Sequence, residues 1–106
     1  MAKKLFIATA DGPVEVEAQV VRIYVGNIQE RFFIHENGSD TVLSHYDSGQ
    51  RVGGIGEIIL ASAVRWGTGG ALNRREAAKQ LIERIVEAKG ADRVRSVLKA
   101  APTINA

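Results

Sequence analysis

At 106 residues, 45% of them hydrophobic and 25% charged, the chain has the size and composition of a single folded domain spanning 1–106, not of a disordered segment. It has no cysteine, which excludes disulfides and thiolate metal sites and agrees with a reducing cytoplasm. The net charge of +2 conceals a split: residues 1–64 carry five Lys/Arg against eight Asp/Glu, and residues 65–106 carry nine against four. Such a split marks either a basic face for an acidic partner or a helical tail with solvated charges, and the second is the simpler reading.

The chain opens MAKKLFIATADGPVE. Two lysines precede only about six apolar residues, too few for a signal-peptide core or a membrane span, so a soluble cytoplasmic protein without membrane contact is expected. Residues 4–9 read as a first strand and 11–13, with their Gly-Pro pair, as a turn. Val14, Val16, Ala18 and Val20 then alternate with polar residues, the period of a half-buried strand, before the parity flips to Val21, Ile23 and Val25. A bulge at Val20–Val21 would restore one buried face; a second half buried on both faces is the alternative. Residues 30–35 form a third strand, a four-residue loop at 37–40 built on Asn37-Gly38 turns the chain, and 41–46 form a fourth. That loop sets residue 36 opposite 41 and His45 opposite Phe32. A turn at 47–49 leads to a short fifth strand at 50–52.

Residues 53–67 hold Ile58, Ile59, Leu60, Ala61, Ala63 and Val64, an apolar run that suits helix or strand; Ala and Glu favour helix. Asn73 is an N-cap with Glu76 three residues on, a variant of the capping box. Ala77, Ala78, Leu81, Ile82, Ile85 and Val86 recur at helical spacing until Gly90 stops the helix. A last helix covers about Ala91–Ala100, with Val94, Val97, Leu98 and Ala101 along one side, Pro102 ending it and the final residues frayed. The expected fold is α+β: an antiparallel four- to five-stranded sheet over about 4–52, followed by two or three helices over about 57–101 packed on one face.

The glycines at 53–56 and 67–70 lack the Lys-Ser/Thr pair of a phosphate loop and the third glycine of a dinucleotide fingerprint, so they read as joints that let helices pack. An anion on the free N–H groups after Asn73, helped by Arg74 and Arg75, is the functional alternative. Ser44, His45, Asp47 and Ser48 supply the residue types of a hydrolytic triad. On a strand, however, Ser44 points away from His45 and Asp47, and nothing near a Ser48–His45 pair forms an oxyanion hole, so an Asp-Ser-Gly turn is the reading taken. His35 and His45 do not face each other, and no metal or other cofactor is expected.

Arg74, Arg75, Lys79, Arg93 and Arg95 lie on two helices that meet at Gly90, a helix-turn-helix in outline, with Glu76, Glu83, Glu87 and Asp92 interleaved. Trp66 suits either the core or an exposed contact. If exposed beside Arg65, Arg74 and Arg75, it makes the stretch RWGTGGALNRRE a contact surface. The candidate binding residues are Arg65, Trp66, Arg74, Arg75, Lys79, Arg93 and Arg95; none is assigned to catalysis or metal.

The hairpin LSHYDSGQRV resembles a Thr/Ser-His-x-x-Ser-Gly turn of small bacteriophage and prophage accessory proteins. The tail REAAKQLIERIVEAKGADRVRSVLKAAPTIN is similar to their alanine- and arginine-rich helical ends. The resemblance implies a protein that acts by occupying a host macromolecule, defence machinery included, rather than by catalysis, and it transfers no functional residue. The expected function is a non-enzymatic interaction protein whose partner is a host protein or a nucleic acid; a nucleic-acid-binding module using the basic helices is the alternative. A free sheet edge also leaves a homodimer open.

Overall fold

A computed structural model describes residues 3–38, 40–66 and 73–105, with 62–66 described through their backbone alone. Five strands come first: β1 (Lys3–Thr9), β2 (Gly12–Val25), β3 (Ile28–Asn37), β4 (Asp40–His45) and β5 (Arg51–Gly54). Three helices follow, α1 (Gly56–Trp66), α2 (Arg74–Lys89) and α3 (Ala91–Ala100). The strands form one antiparallel sheet in the order β1-β2-β3-β4-β5, each joined to the next by a short turn. The fold is α+β, and 56–66 is helix rather than strand. The hairpin between β3 and β4 is tighter than a four-residue loop, with Asn37 opposite Asp40. Residue 36 still faces 41, and His45 still faces Phe32.

The main departure from the sequence reading lies in β2. Its register passes without a shift from Lys3↔Ala18 on β1 to Gln19↔Ile34 and Val25↔Ile28 on β3, so there is no bulge at Val20–Val21. The strand instead changes partner: 12–18 pair with β1 and 19–25 with β3. Its parity flips because its halves feed two cores on opposite faces. Ala18 packs with Leu5, Phe33 and Tyr46, whereas Val21, Ile23 and Val25 pack with Phe32, Ile34 and Leu43 beneath the helices. The second half is not buried on both faces either, since Val20, Arg22 and Tyr24 are exposed. Phe32 and Phe33 are adjacent and both 0% exposed, one in each core. The irregularity of the sheet sits in β5, where Leu43↔Gly53 and Ser44↔Arg51 leave Val52 as an extra residue.

Ile58 of α1 and Ala77, Ala78 and Ile82 of α2 cover the first core. The start of α2 follows from its cap, the Asn73 side chain accepting the Glu76 N–H at 2.8 Å. It stops at Gly90, whose φ of 86° favours glycine and whose N–H donates to the Val86 carbonyl at 2.7 Å. On α3, Val94 and Leu98 are half-buried, but Val97 is 63% exposed and falls off the side assigned to it.

The tail is bound rather than frayed. The N–H groups of Ile104 and Asn105 both donate to the Asp47 carbonyl, at 2.7 and 3.0 Å. The Asn105 carboxamide accepts the Phe6 N–H and donates to the carbonyls of Phe6 and Tyr46, each at 2.8 Å. Together with the Ala8 N–H donating to the Gly49 carbonyl at 3.0 Å, this ties the outer edge of β1 to the turn after β4 and closes the second core. Tyr46 in that core also takes a hydrogen bond from Lys3 Nζ at 3.0 Å, and the Arg31 guanidinium lies 4.2 Å from its ring centroid.

Candidate functional site

An open groove of about 900 Å³ runs between the outer edge of β2 and the exposed side of α2. The strand wall is Arg22, Ile23, Tyr24 and Gly26; the helix wall includes Arg75, Glu76, Lys79, Glu83 and Glu87. Helical periodicity explains the second set: these positions recur on one side while Ala77, Ala78 and Ile82 turn inward. A smaller hollow bounded by Gln19, Arg22 and Arg75 continues the groove around the strand edge. At the other end, a side chain added at Gly26 would meet Ala91, the first residue of α3. Thus β2 and α2 run in the same direction, and the groove is graded in charge. Arg22, Arg75 and Lys79, with Glu76 the one carboxylate among them, lie towards the Gln19 end; Glu83 and Glu87 lie towards Gly26. Lys79 and Glu83 meet at 4.0 Å in between.

The structure brings together part of the predicted set. Arg75 and Lys79 line the groove. Arg74 sits at its approach, paired with Glu36 at the end of β3. Arg93 is exposed on α3 but does not line the groove. Arg95 faces inward: its Nη1 donates to the Val25 carbonyl at 2.7 Å and its Nη2 meets the Asp92 carboxylate, which fastens the β2–β3 turn to α3. The side chains of Arg65 and Trp66, and the glycines at 67–70, lie outside the described residues. Sequence reasoning passed over Arg22. Its signal was the lone cation between the inward residues Val21 and Ile23, an outward position on a half-strand, 20–25, that otherwise reads as apolar.

The residues of the suspected triad divide between two duties. The Ser48 hydroxyl accepts the Gln50 N–H at 3.2 Å and lies 2.8 Å from His45 Nδ1, to which it donates in the neutral tautomer that carries its proton on Nε2. Asp47 turns its carboxylate to Arg31 Nη2 at 3.0 Å while its carbonyl holds the tail. His35 forms a second such pair, its Nε2 lying 2.9 Å from Ser44 Oγ. His35, Ser44, His45 and Ser48 are all buried.

Burial pushes the pKa of both imidazoles below the usual 6.5, because desolvation penalises the charged ring. Arg51 adds to this at His35, against the Glu36 carbonyl and carboxylate; at His45 the Asp47 and Glu30 carboxylates only partly oppose it. The unfolded chain therefore binds protons more readily. The stabilisation is complete above the unfolded value of 6.5 and is lost as pH falls from there through the folded values. Urea titrations between pH 8 and 5 are expected to show stability falling as pH falls. His35→Gln and His45→Gln together should flatten that slope even though they lower stability at pH 8. An unchanged slope in the double variant would mean that other groups set it.

Among the described residues, no helix is long and apolar enough to cross a membrane, and no three His, Cys, Asp or Glu side chains gather as metal ligands. Comparison with protein-family models, curated proteins and solved structures finds no match to this chain.

Proposed function

We propose that the protein is a non-enzymatic binding module that engages another protein through the groove between β2 and α2. The observation that carries this reading is the graded charge of the groove. Arg22 and Arg75 make no ion pair among the described residues, while Glu83 and Glu87 line the opposite end. Charges of both signs suit a protein partner of complementary pattern. A nucleic acid entering the same groove would meet Glu76, Glu83 and Glu87 along the helix wall, and its phosphates would be repelled. The resemblance to bacteriophage accessory proteins makes a bacterial host protein the partner to seek.

The test is capture from a nuclease-treated bacterial lysate on the immobilised protein. One protein should be retained in stoichiometric amount, lost with Arg22→Glu combined with Arg75→Glu, and kept with Arg93→Glu. Exposed reversals of this kind typically change stability by no more than about 0.5 kcal/mol, so a loss of binding reports on the surface. Capture indifferent to the groove variants would remove this reading. Direct binding of DNA or RNA, with log K falling about 0.9 per phosphate contacted as log salt rises, would replace it with the nucleic-acid module.

A further inference from the structure

The geometry points to strand addition. The groove takes an extended segment of a partner protein as an extra strand, hydrogen-bonded antiparallel to Val20, Arg22 and Tyr24 of β2. This inference rests on the groove being the binding surface.

It starts from the sheet register. Val25 and Ile28 close a two-residue turn, so Val25, Ile23, Val21 and Gln19 direct their N–H and C=O groups towards β3. The alternate residues Val20, Arg22 and Tyr24 direct theirs the other way. Among the described residues, β1 covers that side of β2 only as far as Ala18. The same alternation turns Phe6 and Ala8 of β1 outward, where Asn105 and Gly49 meet them. No described residue does this for Val20, Arg22 and Tyr24. They offer donors and acceptors repeating every two residues, about 6.6 Å, the spacing an incoming strand needs. The side chains on this edge are equally unmet: Val20 and Tyr24 are 36% and 63% exposed. Cross-strand side chains on an added strand would cover them.

The charge gradient selects the occupant. A strand antiparallel to β2 enters at the Gly26 end and leaves at the Gln19 end. Its first residue meets Glu83 and Glu87, and the residue three further on lies opposite Arg22. The segment that fits is therefore extended and rich in β-branched residues, with a cation at its amino end and a carboxylate three positions later. A second copy of this chain fits less well, because the centred edge-to-edge register sets Arg22 opposite Arg22 and like charges directly opposed are destabilising.

The probe is the peptide Ac-Lys-Thr-Val-Glu-Val-Thr-NH2, titrated against the full chain while amide hydrogen exchange is followed by NMR. In the free protein the amides of Val20, Arg22 and Tyr24 should exchange at least about tenfold faster than those of Val21 and Ile23, and the peptide should slow all three by about tenfold or more. The charge-swapped peptide, with Glu first and Lys fourth, should bind at least about tenfold more weakly. Arg22→Pro deletes the outward donor without touching the ladder to β3 and should abolish protection, whereas Arg22→Ala only weakens binding. If Arg22→Pro does not fold, exchange in the unmodified chain decides. Binding without protection of the three amides, or no binding of either peptide at millimolar concentration, overturns strand addition; lysate capture still sensitive to Arg22→Glu with Arg75→Glu would leave the binding-module reading standing. Protection that grows with protein concentration alone assigns the edge to a second copy and overturns the inference.

Discussion

Asn105→Ala is expected to destabilise the protein by about 2–4 kcal/mol, a fall in Tm of roughly 10–20 °C for a domain of this size. Asn105 is 5% exposed, and its carboxamide joins segments 99 positions apart in the chain. Alanine there leaves the Phe6 N–H and the carbonyls of Phe6 and Tyr46 without their partner. Each unmet buried group costs about 1–3 kcal/mol, with the upper end reduced where water enters the space left behind. Asn105→Asp separates hydrogen bonding from size. The carboxylate still accepts the Phe6 N–H but sets negative oxygen against two carbonyls, so Asp should be at least as harmful as Ala at neutral pH. Thermal denaturation followed by circular dichroism gives the ranking. A fall of only a degree or two in both variants would show that the tail adds nothing to the second core.

Gly49→Ala should be comparably harmful, by about 2–5 kcal/mol, for two reasons that can be measured apart. The φ of 66° at Gly49 is left-handed, which costs a non-glycine residue roughly 1–2 kcal/mol. A Cβ there would also lie 2.6 Å from the Phe6 carbonyl oxygen and 2.7 Å from Ile104 Cδ1. The Phe6 carbonyl cannot withdraw freely, because β1 is held on both sides by β2 and Asn105. Such overpacking adds about 1–3 kcal/mol. Gly38 supplies the control: its φ of 65° is nearly the same, and nothing lies within 4 Å of an added Cβ. Gly38→Ala should therefore show the conformational part alone. Equal losses for the two variants in urea titration would refute the steric part.

The helical half was legible because its signals are local. Asn73 caps α2 by accepting from the N–H three residues on and Gly90 ends it four residues past Val86, so a short window of sequence contains both partners. The hairpin at Asn37 and Gly38 fixed the pairing of β3 with β4 for the same reason. β2 was harder. Alternation reports which residues share a face, but it carries no mark for the point where a strand changes its neighbour. A parity flip at Val20 and Val21 therefore looks the same whether the cause is an extra residue or a second core. The role of Asn105 is carried by polar contacts with β1 and the turn after β4, which leave no periodic trace in the tail. The groove is harder still to read, because it exists only once α2 is laid beside β2, and Arg22 gains its meaning from Arg75, 53 positions away. Arg95 shows the converse. Its charge was visible, but its engagement with Val25 depends on where the β2–β3 turn comes to rest.

Because one uninterrupted strand lines both apolar interiors, the two are expected to unfold together, and native-state hydrogen exchange at Ala18 and Val21 should report the same opening free energy. Separating Ala18 from Phe33 pulls on the same backbone that holds Val21 against Phe32, which couples them into one body. By mass action, a ligand that binds only the native form raises the stability of that whole body, including the distant knot at Asn105, in proportion to the logarithm of its concentration above Kd.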